Sequence, residues 1–225
     1  MIIKNIEKVM QKYSAFKLTK CEDDYILRGR FILNHVYDGV RMTGEFDLEI
    51  TVSNQFPTKL PIVRELSGCM AENYAHRYEN GQLCLASDLE LKMYFSQESD
   101  ICSFIEKYIA PYLYTYCYYE EYDVYPFGER SHGVLGDLEY LKELFGVAEW
   151  NTFFDMLFFV STSSYRGHLA CPCGSGKRIR KCHGDVIKMV MDAKLENDCK
   201  AIIEEILTFR KEYMNGKYNK AIRTV

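Results

Sequence analysis

Four residues late in the chain, Cys171, Cys173, Cys182 and His183, carry the strongest chemical signal in the sequence. Three thiols and an imidazole are the donors that a filled-shell, borderline-soft ion such as zinc prefers, and four of them complete a tetrahedron. Gly174-Ser175-Gly176 lets the chain turn sharply after the first pair and leaves backbone N–H groups free to face a thiolate. A closed set of four ligands predicts a structural ion, one that stabilises a fragment too small to bury a core of its own. A second thiol, Cys84, stands apart because it follows Asn80-Gly81 inside 68–95, a stretch of weak periodicity. Long irregular segments in compact domains carry function more often than average. Cys21, Cys69, Cys102, Cys117 and Cys199 are expected to be small buried hydrophobes.

Regular structure must hold these groups in place, and periodicity says where it lies. Ile2, Ile6, Val9, Met10 and Tyr13 recur at three- and four-residue spacing away from Lys4, Lys8 and Lys12, which predicts an amphipathic helix over 2–16. Strands are predicted over 25–33 and 44–52. In the second, Phe46, Leu48, Ile50 and Val52 alternate with Glu45, Asp47, Glu49 and Thr51, so one face is core and the other wet. Asp38-Gly39 sits between the two runs, in a loop expected over 35–42, and an antiparallel meander follows. A third strand over 62–66 comes after Pro57 and Pro61, which restrict the backbone and remove two donors, as suits a sheet edge. Ile101, Phe104, Ile105, Tyr108, Ile109 and Tyr112 share one face of a helix over about 98–116, with Pro111 as its kink or stop. The aromatic and acidic run 112–125 reads as tyrosines packing a helix end, in preference to an exposed partner surface. Helices are predicted again over 138–144 and 149–160, a polar linker over 161–167, and one long helix or two short ones over 185–215.

With 225 residues, 48% of them hydrophobic, the chain can build one substantial core and a smaller appendage, divided here as 1–160 and 161–225. A formal net charge of -4 makes nucleic acid and anionic membranes poor general partners. No continuous apolar run suits a secretory leader or a bilayer span, and 153–160 is too short and carries Asp155. An odd number of scattered cysteines suggests a reducing compartment, and the expected location is the cytoplasm.

The spacing of the metal-ligand set, with its Pro172-Cys173-Gly174-Ser175-Gly176-Lys177 core, resembles the SEC-C motif of the bacterial translocation ATPase and its many fusions. The resemblance covers about 15 residues. It implies zinc at Cys171, Cys173, Cys182 and His183, and partner contacts through Lys177, Arg178, Arg180 and Lys181. Residues 1–145 resemble ubiquitin-conjugating enzymes in their order of helix, antiparallel meander, proline-bearing turn and cysteine segment. Phe56-Pro57-Thr58-Lys59-Leu60-Pro61-Ile62-Val63 is similar to the family's proline-rich turn, and Asn80-Gly81-Gln82-Leu83-Cys84-Leu85 to its Gly-x-Ile-Cys-Leu segment. The likeness is closest to prokaryotic members associated with antiphage (CBASS) signalling.

That resemblance implies an α+β fold of the UBC type, with a four-stranded meander and following helices, and a small C-terminal zinc knuckle and helix. It implies a transferase that carries the C-terminus of a donor, a cyclic nucleotide synthase or a ubiquitin-like protein ending in glycine, as a thioester on Cys84. An amine would then take the acyl group, and a separate activating enzyme is a possible further partner. His76 occupies the position of the family's oxyanion asparagine, since Tyr74-Ala75-His76 replaces His-Pro-Asn, and it is assigned as oxyanion donor or as the base. His132, in the turn Gly128-Glu129-Arg130-Ser131-His132-Gly133, and Asp88, just past the cysteine, are further candidates. Three other readings stay open: a non-catalytic binding module of the same fold, an adaptor built on the SEC-C knuckle for a chaperone, ribosome or translocon, and a thiol-dependent hydrolase.

Overall fold

A computed structural model describes residues 2–128, 131 and 133–214. The chain divides into two compact units, Met1–Arg130 and Ser131–Val225, and is α+β. In the first unit, helix α1 (Ile2–Lys12) is followed by strands β1 (Lys17–Cys21), β2 (Asp24–Tyr37), β3 (Val40–Ser53) and β4 (Ile62–Glu65). The strands pair antiparallel in sequence order. The periodicity of α1 is met as expected, with Ile6 and Val9 buried and Ile2, Met10 and Tyr13 packed against the core.

The β2–β3 hairpin is longer than its sequence pattern. The ladder runs on through Asn34↔Thr43 to Tyr37↔Val40, so the loop expected over 35–42 shrinks to the two residues Asp38-Gly39. Both have positive φ, 47° and 78°, the twist that a right-handed hairpin needs from its turn. Phe46, Leu48, Ile50 and Val52 face the core as the alternation predicts. On the opposite face Glu49 is also buried, where it accepts from Arg28 at 2.7 Å and from Arg64 at 3.2 Å.

Helix α2 (Asp88–Gln97) arises where no helix was expected. Beyond it a continuous helical rod runs from α3 (Ile101–Phe104) through one π-helical turn (Ile105–Ile109) into α4 (Ala110–Tyr122). Pro111 lies in the first turn of α4, just after the π segment, so the rod continues past it instead of stopping. Tyr112, Tyr114 and Tyr116 are buried, in agreement with the packing role expected of this run.

The second unit holds α5 (Val134–Phe145), α6 (Trp150–Thr162), a 3-10 turn (Ile179–Lys181), α7 (Gly184–Asp192) and α8 (Glu196–Met214). The two units divide at 130/131, whereas the boundary expected from the sequence lies at 160/161. α5 and α6 turn their buried faces, among them Leu141, Phe145, Phe153 and Val160, toward each other and toward α7 and α8. The 185–215 stretch forms two helices, separated where Lys194 adopts a left-handed backbone (φ 59°). Among the described residues no helix is long and apolar enough to cross a membrane.

Candidate functional sites

Cys84 is placed by a small loop pinned to the edge of the sheet. Arg77 bridges Leu83, the Tyr78 N–H donates to the Gln82 carbonyl at 2.9 Å, and the Gly81 N–H returns to the Tyr78 carbonyl at 2.9 Å. This tight turn needs a left-handed residue, and Gly81 supplies it at φ 78°. The Asn80 side-chain oxygen accepts from the Gln82 N–H at 3.0 Å and closes the turn from inside. The returning arm docks on β4: Leu83 is buried, and its N–H donates to the Val63 carbonyl at 2.8 Å. Burying Leu83 and bonding its amide fixes the next residue, so Cys84 leaves the sheet edge half-buried. Three residues on, the Ser87 hydroxyl accepts from the Glu90 N–H at 3.2 Å and starts α2.

Two groups act on Cys84 directly. Its N–H donates to the His76 carbonyl at 2.8 Å, and the Tyr112 hydroxyl donates to the same oxygen at 2.8 Å. That shared carbonyl ties the cysteine loop to the helical rod. The second group is the Tyr78 hydroxyl, 3.5 Å from the Cys84 sulfur. Its hydrogen bond to the thiol, burial, and the nearby thiol and Asp88 charges push Tyr78 up to about 12, so at neutral pH it remains a donor.

The structure therefore brings His76 to Cys84 through its main chain, while its ring lies edge-on to Tyr74 at 5.6 Å and to Tyr125 at 5.3 Å. Asp88 is exposed at the start of α2. His132 lies outside the described residues. Sequence reasoning missed Tyr78 and Tyr112, and no local signal marks them, because their roles come from a turn and from a helix 36 positions away from His76. The five cysteines expected to be buried divide differently: Cys199 is buried, Cys102 and Cys117 are half-buried, and Cys21 and Cys69 are exposed. Cys21 ends an edge strand with no covered face, and Cys69 sits in a surface loop after β4.

The second cluster lies in the second unit. Ala170 bridges Arg178, and the Cys171 N–H donates to the Lys177 carbonyl at 2.8 Å, so 170–178 forms a short two-armed turn. Gly174 and Gly176 carry it at φ 75° and 73°. Ile179, wholly buried, anchors the returning arm, and the 3-10 turn delivers Cys182 and then His183 at the start of α7. The four ligand atoms all lie within 4.8 Å of one another. His183 Nδ1 is 3.3 Å from both the Cys171 and Cys182 sulfurs, and the Cys173 and Cys182 sulfurs are 3.5 Å apart. The Ser175 hydroxyl is 3.2 Å from the Cys173 sulfur and 3.3 Å from that of Cys182. Burial pushes the Cys171 thiol up to about 11. Cys173 is opposed by burial too, but the Ser175 hydroxyl and amide and the two neighbouring thiols outweigh it and bring Cys173 down to about 6. This cluster of Cys171, Cys173, Cys182 and His183 can hold a metal ion.

No known family model matches the chain, and no curated protein sequence matches it.

Proposed function

We propose that the first unit is a ubiquitin-conjugating-type (UBC-like) acyl transferase with Cys84 as its nucleophile, and that the second is a zinc-stabilised SEC-C module. The observation that carries the first reading is the placement of Cys84: half-buried after a glycine turn on the edge of an antiparallel meander, with a tyrosine hydroxyl on its sulfur. The reading is supported by the element order as well, with a helix before the four strands and helices after the cysteine segment.

The chemistry runs in two balanced steps. The Cys84 thiolate attacks the carbonyl carbon of an activated donor C-terminus, a thioester on or an adenylate from an activating enzyme, and expels that leaving group. A lysine amine then attacks the Cys84 thioester, an amide bond forms, and the thiol departs. Tyr78 is in reach to donate to the thiolate before the first step and after the second. The His76 main chain, held by Tyr112, keeps the Cys84 backbone in register, and the His76 side chain retains its proposed place as oxyanion donor or base. A donor ending in glycine, either a cyclic nucleotide synthase or a ubiquitin-like protein, and a role in antiviral defence belong to this same reading.

Zinc fits the second cluster. Zn–S bonds of about 2.3 Å and Zn–N bonds of about 2.0–2.1 Å at tetrahedral angles separate ligand atoms by about 3.5–3.8 Å. The contacts at 3.3–3.5 Å are close to that. Three thiolates and one imidazole would fill the coordination sphere, so the ion would cross-link the loop and leave no open position for substrate. Lys177, Arg178, Arg180 and Lys181 are all exposed around it, which favours docking as the work of this unit.

The test is intact mass spectrometry under non-reducing conditions, with a glycine-ended donor, an activating enzyme and ATP. A thiol-labile adduct on the wild type that is absent from Cys84→Ala and thiol-stable on Cys84→Lys is expected. A wild type that stays unmodified beside a donor the activating enzyme has demonstrably charged would sink the transferase reading.

A further inference from the structure

The first unit has a second surface that the proposed transferase does not use. Tyr37, at the tip of the β2–β3 hairpin, meets Phe127 at 4.5 Å between ring centroids, and Tyr118 meets Tyr122 at 4.5 Å. The buried Tyr114 joins the two pairs, 6.3 Å from Tyr37 and 6.0 Å from Tyr118. Tyr37, Tyr122 and Phe127 are nonetheless 45%, 49% and 47% exposed. One continuous aromatic surface is thus rooted in the core and open to solvent.

Its charges are one-sided. Asp38 is exposed next to Tyr37, and Glu121 and Asp123 are exposed on either side of Tyr122, and none of the three forms an ion pair among the described residues. From Tyr108 to Gly128 the sequence has no lysine or arginine at all. Arg41, the one arginine or lysine in the outer part of the hairpin, is held by the Asn34 side-chain oxygen at 2.5 Å. Glu120 and Glu121 also lie in the last turn of α4, where the helix dipole is negative and a cation is the favoured residue, and no basic residue offsets them there. Asp38 and Asp123 serve the fold through their left-handed backbones, but no cation among the described residues offsets their charges, and an external one would.

We propose that this face of the first unit is a docking surface for an arginine- or lysine-rich segment of a partner protein. Guanidinium and ammonium groups would lie on the faces of Tyr37, Tyr122 and Phe127 while the neighbouring carboxylates of Asp38, Glu121 and Asp123 neutralise them. Nucleic acid and anionic lipid carry the wrong sign for it. The inference does not rest on the chemistry of Cys84.

The probe is a fluorescent nonapeptide of alternating arginine and glycine, titrated into the full chain by anisotropy at low salt. Glu121→Lys with Asp123→Lys is expected to weaken binding at least tenfold. Glu204→Lys with Glu205→Lys, the same charge change on the exposed side of α8, is expected to weaken it less than threefold. Tyr122→Ser with Phe127→Ser leaves the charge unchanged and should weaken binding about 4–25-fold, at about 2–5-fold for each exposed cation–π interaction removed. Tyr122→Gln alone, whose ring touches Tyr118 near the helix end, is the variant to use if the double one does not fold, and about 2–5-fold is expected of it. Equal weakening by the two charge reversals, ring variants that bind like the wild type, or no binding by the wild type would each overturn the proposal. So would a dimer that the ring variants abolish and the peptide does not compete away, since the occupant would then be a second copy.

Discussion

Replacing Cys182 by serine leaves the second cluster with two thiols and an imidazole, and the cost follows from what a tightly held ion contributes to a unit of this size. Cys182 meets Cys173 at 3.5 Å and His183 Nδ1 at 3.3 Å and also neighbours Cys171, so its loss removes one corner of the four-ligand set. A site held at about a thousand times its Kd stabilises the folded state by about 4 kcal/mol. For a unit of the size of Ser131–Val225, each kcal/mol moves the midpoint by about 4–8 °C, which comes to about 16–32 °C. The whole effect should be felt because the loop is not detachable. Ile179 is wholly buried, and the Ile187 N–H donates to the His183 carbonyl at 3.0 Å, so the Cys182-His183 pair leads directly into the first turn of α7. Calorimetry with and without a zinc chelator, alongside Cys182→Ser and hydrogen exchange across 167–183, measures this. The reasoning is refuted if metal analysis finds zinc in the wild type but chelation shifts the second unit's midpoint by only a degree or two and leaves exchange at 167–183 unchanged.

Two predictions concern the first unit's frame. Gly29→Ala should cost about 3 kcal/mol or more, read as a lower urea midpoint at unchanged slope, because an added Cβ would stand 2.5 Å from both the Ala15 carbonyl oxygen and the Phe16 Cα, backbone atoms that cannot step aside. Asp100 caps α3, accepting from the Cys102 N–H at 2.8 Å, and pairs with Lys8 at 2.5 Å. Burial works against its charge, but the Lys8 bond and the two capping N–H groups outweigh it and hold the carboxyl below its ordinary value. Since the folded-state value is the lower one, the charge stabilises the fold above about pH 4 and that stability is lost as pH falls through the depressed value. Asp100→Ala should therefore cost about 1–2 kcal/mol near neutrality, and Asp100→Asn, which still caps, less than about 1. The gap between wild type and Asn should close in acid unfolding curves.

What the sequence discloses depends on whether burial leaves a period behind. α1 and the core half of β3 were legible because one face of each is covered and the other is wet. β1 was not, because all five of its residues are exposed and no alternation survives. α2 failed for the opposite reason: Leu89, Leu91, Met93, Tyr94 and Phe95 are all buried, so the apolar positions fall on no single stripe. In the outer hairpin only Met42 is buried and Val40 is half-buried, with His35 and Tyr37 on the same face, so the hydrophobic alternation there is too weak to read.

The two candidate sites follow the same logic. Metal ligands announce themselves because their chemistry fixes both residue type and spacing, and the cluster over 171–183 assembles within one short segment. Cys84 was marked by its place after Asn80-Gly81 in an irregular stretch, but the groups that orient it were not. Val63, His76 and Tyr112 reach it from β4, its own loop and the helical rod. If those neighbours carry the function, conservative changes at positions with no chemical signature should matter as much as changes at the named histidine. Tyr112 is such a position: its hydroxyl is the one group that joins the rod to the carbonyl holding the Cys84 amide. The proposed nucleophile is thus marked locally, but its orientation is a property of the packed first unit.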